Sequence, residues 1–238
     1  LRAPPIGCWL FPMNPNARPP IVYADGRSAS VDFDEQTLDR LWPRLLVLRP
    51  GFVPSSLAAM LRELARDEVI PMPSGGSARL DDLANALWRA RFEQQRGWRS
   101  QKWPLEQVTG YLRERRIATE WAMPIASEFD DDDDDPFVAH RATGLRGVVY
   151  MNELDAERLA VSPGEALINV EAFVAPRPMG ILRRMRVDPG EYREACESVA
   201  AELVRAARIS GITAVWNGDW QIPVVLYDVQ YITRIPAP

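Results

Sequence analysis

The sequence predicts an α+β fold, with a mainly helical N-terminal part and a C-terminal antiparallel sheet packed by one long helix. Apolar residues recur at helical spacing in the first half of the chain, alternate along 166–174, and return to helical spacing over 189–210. At 238 residues, 47% of them hydrophobic, the chain is long enough to bury a substantial core. The expected division is a Pro-rich arm and mainly helical region over 1–124, an acidic linker over 125–144 and a sheet domain over 145–238.

The N-terminal part begins with a proline-rich arm. Six prolines fall within residues 1–20, and proline gives no N–H to a sheet ladder, so we expect edge strands or irregular structure. Asp25–Gly26 predicts a tight turn, with Ser28–Phe33 as the returning strand. Four helices are predicted next: one over 34–48, one capped by Ser55 or Ser56, one carrying Leu80 to Arg91, and one beginning at Pro104.

In the C-terminal part, apolar residues alternate as in β-strands before the helical spacing of 189–210 begins. Residues 147–151 and 166–174 are predicted strands, and the alternation in the second leaves one face solvated. A helix is expected after them, because Asp188 can cap its N-terminus, Pro189 fits its first turn and Gly211 can end it.

A hairpin signal follows that helix. The pair Asn217–Gly218 is typical of a two-residue type I′ turn, which would join strands over 212–216 and 219–232. In such a hairpin Trp216 and Trp220 project from opposite sides of the ribbon. We therefore expect one ring in the core and the other exposed.

Composition excludes several classes of function. The net charge of −5 argues against a general nucleic-acid or anionic-membrane binder, because both need a positive surface. The single histidine, His140, and the two scattered cysteines, Cys8 and Cys196, cannot supply a zinc site, so we expect no metal and no cofactor. No apolar run is long enough to span a membrane, and the low cysteine content fits a cytoplasmic location.

A family resemblance covers residues 80 to 218. Its segments are Leu112–Ile117, Gly147–Tyr150 followed by Asp155–Glu157, and Gly211–Gly218. Their order is similar to that of an uncharacterised bacterial domain family of unknown function. The resemblance implies an α+β fold and supplies no catalytic residue. Members of that family often carry closely spaced cysteines after the segment that matches Ile117, whereas this chain has Glu120 and Trp121 there.

A basic and aromatic stretch over 88–116 is the first candidate site. It holds eight cations and three anions, a net charge of +5, interleaved with tryptophan, phenylalanine and tyrosine. Such interleaving suits stacking on single-stranded nucleic acid, but on amphipathic helices it is also typical of a core with a solvated basic face. The candidate binding residues, together with one tryptophan from the hairpin, are Arg96, Trp98, Arg99, Lys102, Trp103 and Trp220.

An acidic stretch follows directly. Residues 120–135 carry a net charge of −8, six of it from consecutive aspartates over Asp130–Asp135, without the spaced ligands and glycine of an EF-hand loop. The run is typical of a solvated linker. Beside the basic stretch it predicts either an intrachain electrostatic clasp or half of a charged partner interface.

Carboxylates provide the enzymatic alternative. Glu171 and Asp228 lie on predicted strands, and neighbouring strands could bring them together as an acid–base pair. His140 has no Gly-x-Ser-x-Gly nucleophile motif to serve, and we expect it to be an exposed loop residue.

The favoured function is a non-enzymatic protein-binding module, an immunity-like inhibitor or an adaptor, that acts through a charged and tryptophan-bearing surface. Its expected partner is another protein, such as a toxin or a complex subunit, with nucleic acid not favoured and no membrane involved. The alternatives are a carboxylate-dependent hydrolase using Glu171 and Asp228, and a nucleic-acid-binding subunit using residues 96–103. A cleft with convergent carboxylates would favour the enzyme, and an exposed apolar and charged patch would favour the binder.

Overall fold

The structure is a computed structural model, and it describes residues 16–48, 52–96, 104–123, 137–179 and 184–237. The fold is α+β, as the sequence predicts. The chain separates into two compact units. The first comprises Leu1–Leu46, Pro50–Gln101 and Arg234–Pro238, and the second comprises Val47–Arg49 and Lys102–Thr233. No helix in the described parts of the chain has the length and apolar character needed to cross a membrane.

The first unit is helical. Its elements are a short 3₁₀ turn over Ala29–Val31 and the helices α1 (Glu35–Leu46), α2 (Pro54–Arg66) and α3 (Gly76–Arg96). Leucines at helical spacing on all three helices are fully buried, for example Leu41, Leu57 and Leu83. Neither Ser55 nor Ser56 caps α2, because Val53 holds the cap position and Pro54 fills the first turn.

The predicted returning strand over 28–33 is wrong. Only Val22 and Ser28 form an antiparallel bridge, and a 3₁₀ turn follows immediately. The Ser28 side chain accepts a hydrogen bond from the Ser30 N–H, and the Phe33 N–H donates to the Ala29 carbonyl. These local bonds engage backbone groups that a strand would have needed for its ladder.

The second unit is built around a sheet. Its elements are α4 (Pro104–Glu114), β1 (Ile117–Met123), α5 (Val138–Ala142), β2 (Gly147–Asn152), α6 (Glu153–Val161), β3 (Gly164–Ala172), β4 (Arg177–Met179), β5 (Arg184–Arg186), α7 (Pro189–Ile209), β6 (Thr213–Val215) and β7 (Val224–Val229). The five-stranded sheet has the order β1-β2-β3-β7-β6, and β4 and β5 form a separate antiparallel pair.

The sheet is mixed, whereas the sequence predicts an antiparallel one. β1 runs parallel to β2, with Ile117 opposite Gly147, and the other neighbouring strands are antiparallel. Because β1 joins this sheet, α4 and β1 belong to the second compact unit. The division expected from the sequence placed α4 and β1 before the linker over 125–144, with the N-terminal helices. In the structure they group with the sheet.

The long helix forms as predicted and lies against one face of the sheet. Asp188 caps α7 by accepting hydrogen bonds from the N–H groups of Gly190 and Glu191, at 2.8 and 2.9 Å. A Cβ on Gly147 would lie 3.0 Å from Val199 of α7 and 2.4 Å from a backbone oxygen of β3. This close approach requires glycine, and it shows that the face of Gly147 is the one beneath α7.

The predicted two-residue hairpin at Asn217–Gly218 is wrong. Val215 pairs with Val225, so residues 216–223 form an eight-residue connection. Asn217 and Asp219 accept backbone hydrogen bonds two residues ahead of themselves, and Pro223 has no N–H for a ladder. The tight turn is replaced by these local turns.

Candidate functional site

The face of the sheet opposite α7 is identified by strand register, and we call it the outer face. Glu120 lies opposite Tyr150 and Tyr150 opposite Asn169, so the three residues share one face of β1, β2 and β3. Glu171 is two residues beyond Asn169 on β3 and lies on that face too. Gly147 lies three residues before Tyr150 on β2, so the two residues are on opposite faces of the sheet. Because Gly147 is on the face that packs against α7, Tyr150 is on the other.

The same face continues across β3, β7 and β6. Leu167, two residues before Asn169, lies opposite Val225, which in turn lies opposite Val215. The outer face therefore has two halves that meet on β3. One half consists of β1, β2 and β3. The other half consists of β3, β7 and β6, which are neighbours in the sheet.

The half over β1 to β3 is covered by α5 and the residue that precedes it. The Phe137 ring is buried, with its centroid 5.2 Å from that of Tyr150 and 6.3 Å from that of Phe173. Such ring separations are typical of packed aromatic pairs. We call this region the covered half.

Glu171 lies in the covered half, near the end of β3, and both of its carboxylate oxygens have partners. Arg141 of α5 donates to Oε1 at 3.0 Å, and the Tyr192 hydroxyl donates to Oε2 at 2.6 Å. The guanidinium of Arg141 also lies 4.9 Å from the ring centre of Phe173, within cation–π range. Both carboxylate oxygens are thus engaged, and Glu171 fastens α5 and the start of α7 to the sheet.

His140 and Glu120 form a second ionisable contact there, which sequence reasoning missed. The His140 Nε2 lies 2.9 Å from Oε1 of Glu120, and the imidazole is half-buried on α5 rather than exposed on a loop. The expectation of an exposed loop histidine is therefore wrong. No local pattern could reveal this pair, because its members are 20 positions apart on different elements.

The titratable hydroxyls and the thiol of this region stay protonated at neutral pH. Burial and then the hydrogen bond to Glu171 raise the pKa of Tyr192. Burial likewise raises the pKa of Tyr150 and that of the Cys196 thiol, which is fully buried on α7. These shifts oppose use of the three groups as a base or a nucleophile at neutral pH.

Trp220 joins the same cluster through Tyr192. Its ring meets the Tyr192 ring edge-on, with centroids 5.4 Å apart. The structure thus links Glu171 and Trp220, which the sequence assigned to different functions. Trp216 and Trp220 are both half-buried, so the expectation of one core ring and one exposed ring is wrong.

Asp228 is not brought near Glu171. Asp228 is the extra residue of a β-bulge in β7, and its φ is 55°. The bulge lies at the end of the β3–β7 ladder, where Val229 is opposite Gly164. Glu171 is seven residues further along β3, a separation of roughly 20 Å along an extended strand. The register therefore does not produce the acid–base pair of the hydrolase alternative.

The basic candidate residues are described only in part. Arg96 is the exposed last residue of α3 and forms an ion pair with Glu93 at 2.8 Å, one turn earlier. The remaining four candidates of this stretch lie outside the described residues: Trp98, Arg99, Lys102 and Trp103.

The half over β3 to β6 exposes apolar side chains. Leu167 is 45% exposed and Val215 is 53% exposed, with half-buried Val225 between them. Tyr227 continues the face on β7, and exposed Glu165 continues it on β3. We call this region the open half and its three aliphatic residues the apolar row.

Neither a metal site nor a known relative assigns chemistry to the described residues. Within the described ranges, no three His, Cys, Asp or Glu side chains lie close enough together to hold a metal ion. No family model, curated protein or solved structure matches the chain. The resemblance to an uncharacterised bacterial family over 80–218 stays a prediction.

Proposed function

We propose that the protein is a protein-binding module that docks a partner protein on the open half of the outer face. One observation carries the proposal. Leu167, Val225 and Val215 form a cross-strand apolar row on a face where soluble sheets usually place polar side chains. Exposed apolar residues that adjoin in this way are typical of interaction sites, whereas single scattered ones are not.

The energetics support docking. Full burial of a valine or leucine side chain contributes about 1.5 to 3 kcal/mol relative to full exposure. Because the two outer members of the row are about half exposed, a partner that covers them gains about 1 kcal/mol from each. The row is already ordered by the sheet, so little side-chain entropy is lost on binding.

The rim of the open half indicates the chemistry of the partner. Glu165 and Asp228 are exposed acids on the two strands that carry Leu167 and Val225, and the whole chain carries a net charge of −5. A partner with an apolar centre and basic side chains around it complements this surface and is steered toward it. A second copy of the chain would bring a second net charge of −5, which opposes self-association.

The protein would therefore act by covering a surface of its partner, as an inhibitor or an adaptor does. A basic toxin or a subunit of a complex fits this description. The engagement of Glu171 by two neighbours and its distance from Asp228 weigh against the hydrolase alternative.

The test combines affinity capture with a measured affinity. The tagged full chain is used to capture proteins from the source cells, and each retained protein is purified and titrated calorimetrically. The Leu167→Lys/Val215→Lys variant should weaken binding by more than about tenfold, because it removes the row and repels a basic partner. The matched control is Val69→Lys in the first unit, where a valine is 52% exposed.

Two outcomes overturn the proposal. One is equal binding of every retained protein to the wild type and the double variant. The other is self-association in sedimentation velocity that the double variant abolishes, which would assign the open half to a second copy. Urea unfolding of each variant shows whether it is folded before binding is compared.

A further inference from the structure

A groove on α7 is separate from the outer face. Ala201, Val204, Arg205 and Arg208 line one wall, and Trp216 after β6 lines the other, around a volume of about 330 Å³. The four α7 residues fall at positions i, i+3, i+4 and i+7, so they form one stripe along the helix. The alternation along β6 directs Trp216 away from Val215 and toward α7.

The tryptophan wall is held in place. The Trp216 indole N–H donates to the Asp219 carbonyl at 3.0 Å. Asp219 is itself fixed by two turn hydrogen bonds, because its N–H donates to Asn217 and its carboxylate accepts from the Gln221 N–H. A ring already fixed in this way loses little entropy when a ligand packs on it.

Both arginines of the groove are exposed, and neither is held by a short ion pair with a described residue. Arg208 is exposed, and its side chain makes no ion pair or hydrogen bond with the residues that the structure describes. Arg205 contacts Glu202 only at 3.8 Å, and Glu202 makes its shorter contact, 3.0 Å, with Arg115. No acidic side chain lines the groove, although the chain as a whole is acidic.

We propose that this groove binds an acidic peptide segment that carries a large apolar side chain. The apolar side chain packs on Ala201, Val204 and Trp216, and two carboxylates pair with Arg205 and Arg208. Alternate side chains of an extended segment share one side about 7 Å apart, close to the spacing of two arginines one helical turn apart. The matching pattern is therefore apolar-x-acid-x-acid.

Nucleic acid fits the groove less well. A protein that binds a nucleic-acid strand usually places several cations in a line along the phosphate backbone. This groove has two arginines, beside the aliphatic side chains of Ala201 and Val204. The proposal does not rest on the open half of the sheet, because the two surfaces share no residue.

The test measures fluorescence anisotropy of a labelled nonapeptide containing Leu-Ser-Asp-Ser-Asp, titrated with the full chain. We expect saturable binding that is weakened at least about tenfold by Arg205→Gln/Arg208→Gln and by Trp216→Ala. Peptides in which both aspartates become asparagine, or leucine becomes serine, should bind at least about tenfold more weakly than the parent.

The matched control is Arg66→Gln/Arg193→Gln, which makes the same change in net charge at exposed arginines outside the groove. Its affinity should stay within about twofold of the wild type. Absence of saturable peptide binding, or equal weakening by the control variant, overturns the proposal. A single-stranded oligonucleotide that binds more tightly than the peptide, with the same dependence on Arg205 and Arg208, also overturns it and assigns the groove to nucleic acid.

Discussion

The covered and open halves of the outer face differ in which polar and apolar side chains are shielded from solvent. Beneath α5 the sheet presents Glu120, Tyr150 and Glu171, whereas the open half presents Leu167 and Val215. Soluble antiparallel sheets usually bury the apolar face and solvate the polar one. The difference teaches that two halves of one sheet face can differ in cover, and it is the uncovered apolar chemistry on which the proposed docking surface rests.

The two carboxylates of the covered half have partners within the chain. Glu171 accepts hydrogen bonds from Arg141 and Tyr192, and Glu120 is paired with His140. A helix of five residues such as α5 is not stable by itself in water, so these contacts and the Phe137 ring hold it in place. The open half has no such cover among the residues that the structure describes.

The largest expected effect comes from removing the ring that anchors the cover. Phe137→Ala should lower the free energy of unfolding by about 3 kcal/mol, because a buried aromatic ring is replaced by a cavity. Urea denaturation followed by circular dichroism measures the change. A loss below about 1 kcal/mol would mean that α5 is not fastened to the sheet through this ring.

The next largest effect comes from the carboxylate in the covered half. Glu171→Ala should cost about 2 kcal/mol, because it leaves Arg141 and Tyr192 without their shared acceptor. Glu165→Ala, at an exposed glutamate on the same strand and face, is the control and should stay within about 0.5 kcal/mol of wild type. Equal losses in the two variants would remove the energetic distinction between the halves.

Alkaline pH should weaken the covered half. The pKa of Tyr192 is raised above its ordinary value of 10.0 by burial and by the hydrogen bond to Glu171. The folded chain therefore keeps this proton where the unfolded chain has released it, and the free energy of unfolding falls as pH rises above about 10.

Tyr192→Phe removes that dependence. The fall in unfolding free energy between about pH 9 and pH 11 should be about 1 kcal/mol smaller in this variant than in wild type. Tyr227→Phe, which removes a tyrosine from the open half and leaves the hydrogen bond to Glu171 in place, is the matched control. Parallel slopes for wild type and Tyr192→Phe would contradict the assignment.

The smallest expected effect on stability lies in the open half. Val215→Thr keeps the side-chain shape and places a hydroxyl where the valine is 53% exposed, so the free energy of unfolding should change by less than about 0.5 kcal/mol. Thermal unfolding measures it. A loss above about 1 kcal/mol would show that the residue is covered within the chain and not available to a partner.

The sequence predicted those helices and strands whose caps and hydrophobic patterns involve residues close together in the chain. The Asp188 cap, Pro189 and the apolar stripe predicted a helix over 189–210, and α7 runs from Pro189 to Ile209. The alternation over 166–174 predicted a strand, and β3 spans Gly164–Ala172. Caps, helical stripes and alternation arise from residues a few positions apart, so they can be identified in the sequence.

Elements that depend on distant contacts were missed. β1 follows α4 after two residues, and its parallel partner β2 begins 24 positions beyond the end of β1. α5 has too few residues for a helical period, and it is held by side chains of β1, β2 and β3 rather than by its own pattern. The position of Asp228 in a bulge likewise depends on pairing with β3.

The sequence by itself determined that Leu167, Asn169 and Glu171 share one side of a strand, because successive side chains of extended backbone point to opposite faces. Only the tertiary structure decided that the Glu171 end of that side lies under α5 while the Leu167 end faces outward. The alternation of side chains along a strand depends only on neighbouring residues. The burial of the Glu171 end depends on α5, which lies about thirty positions earlier in the chain. For that reason the candidate docking surface became visible only when the strands were paired.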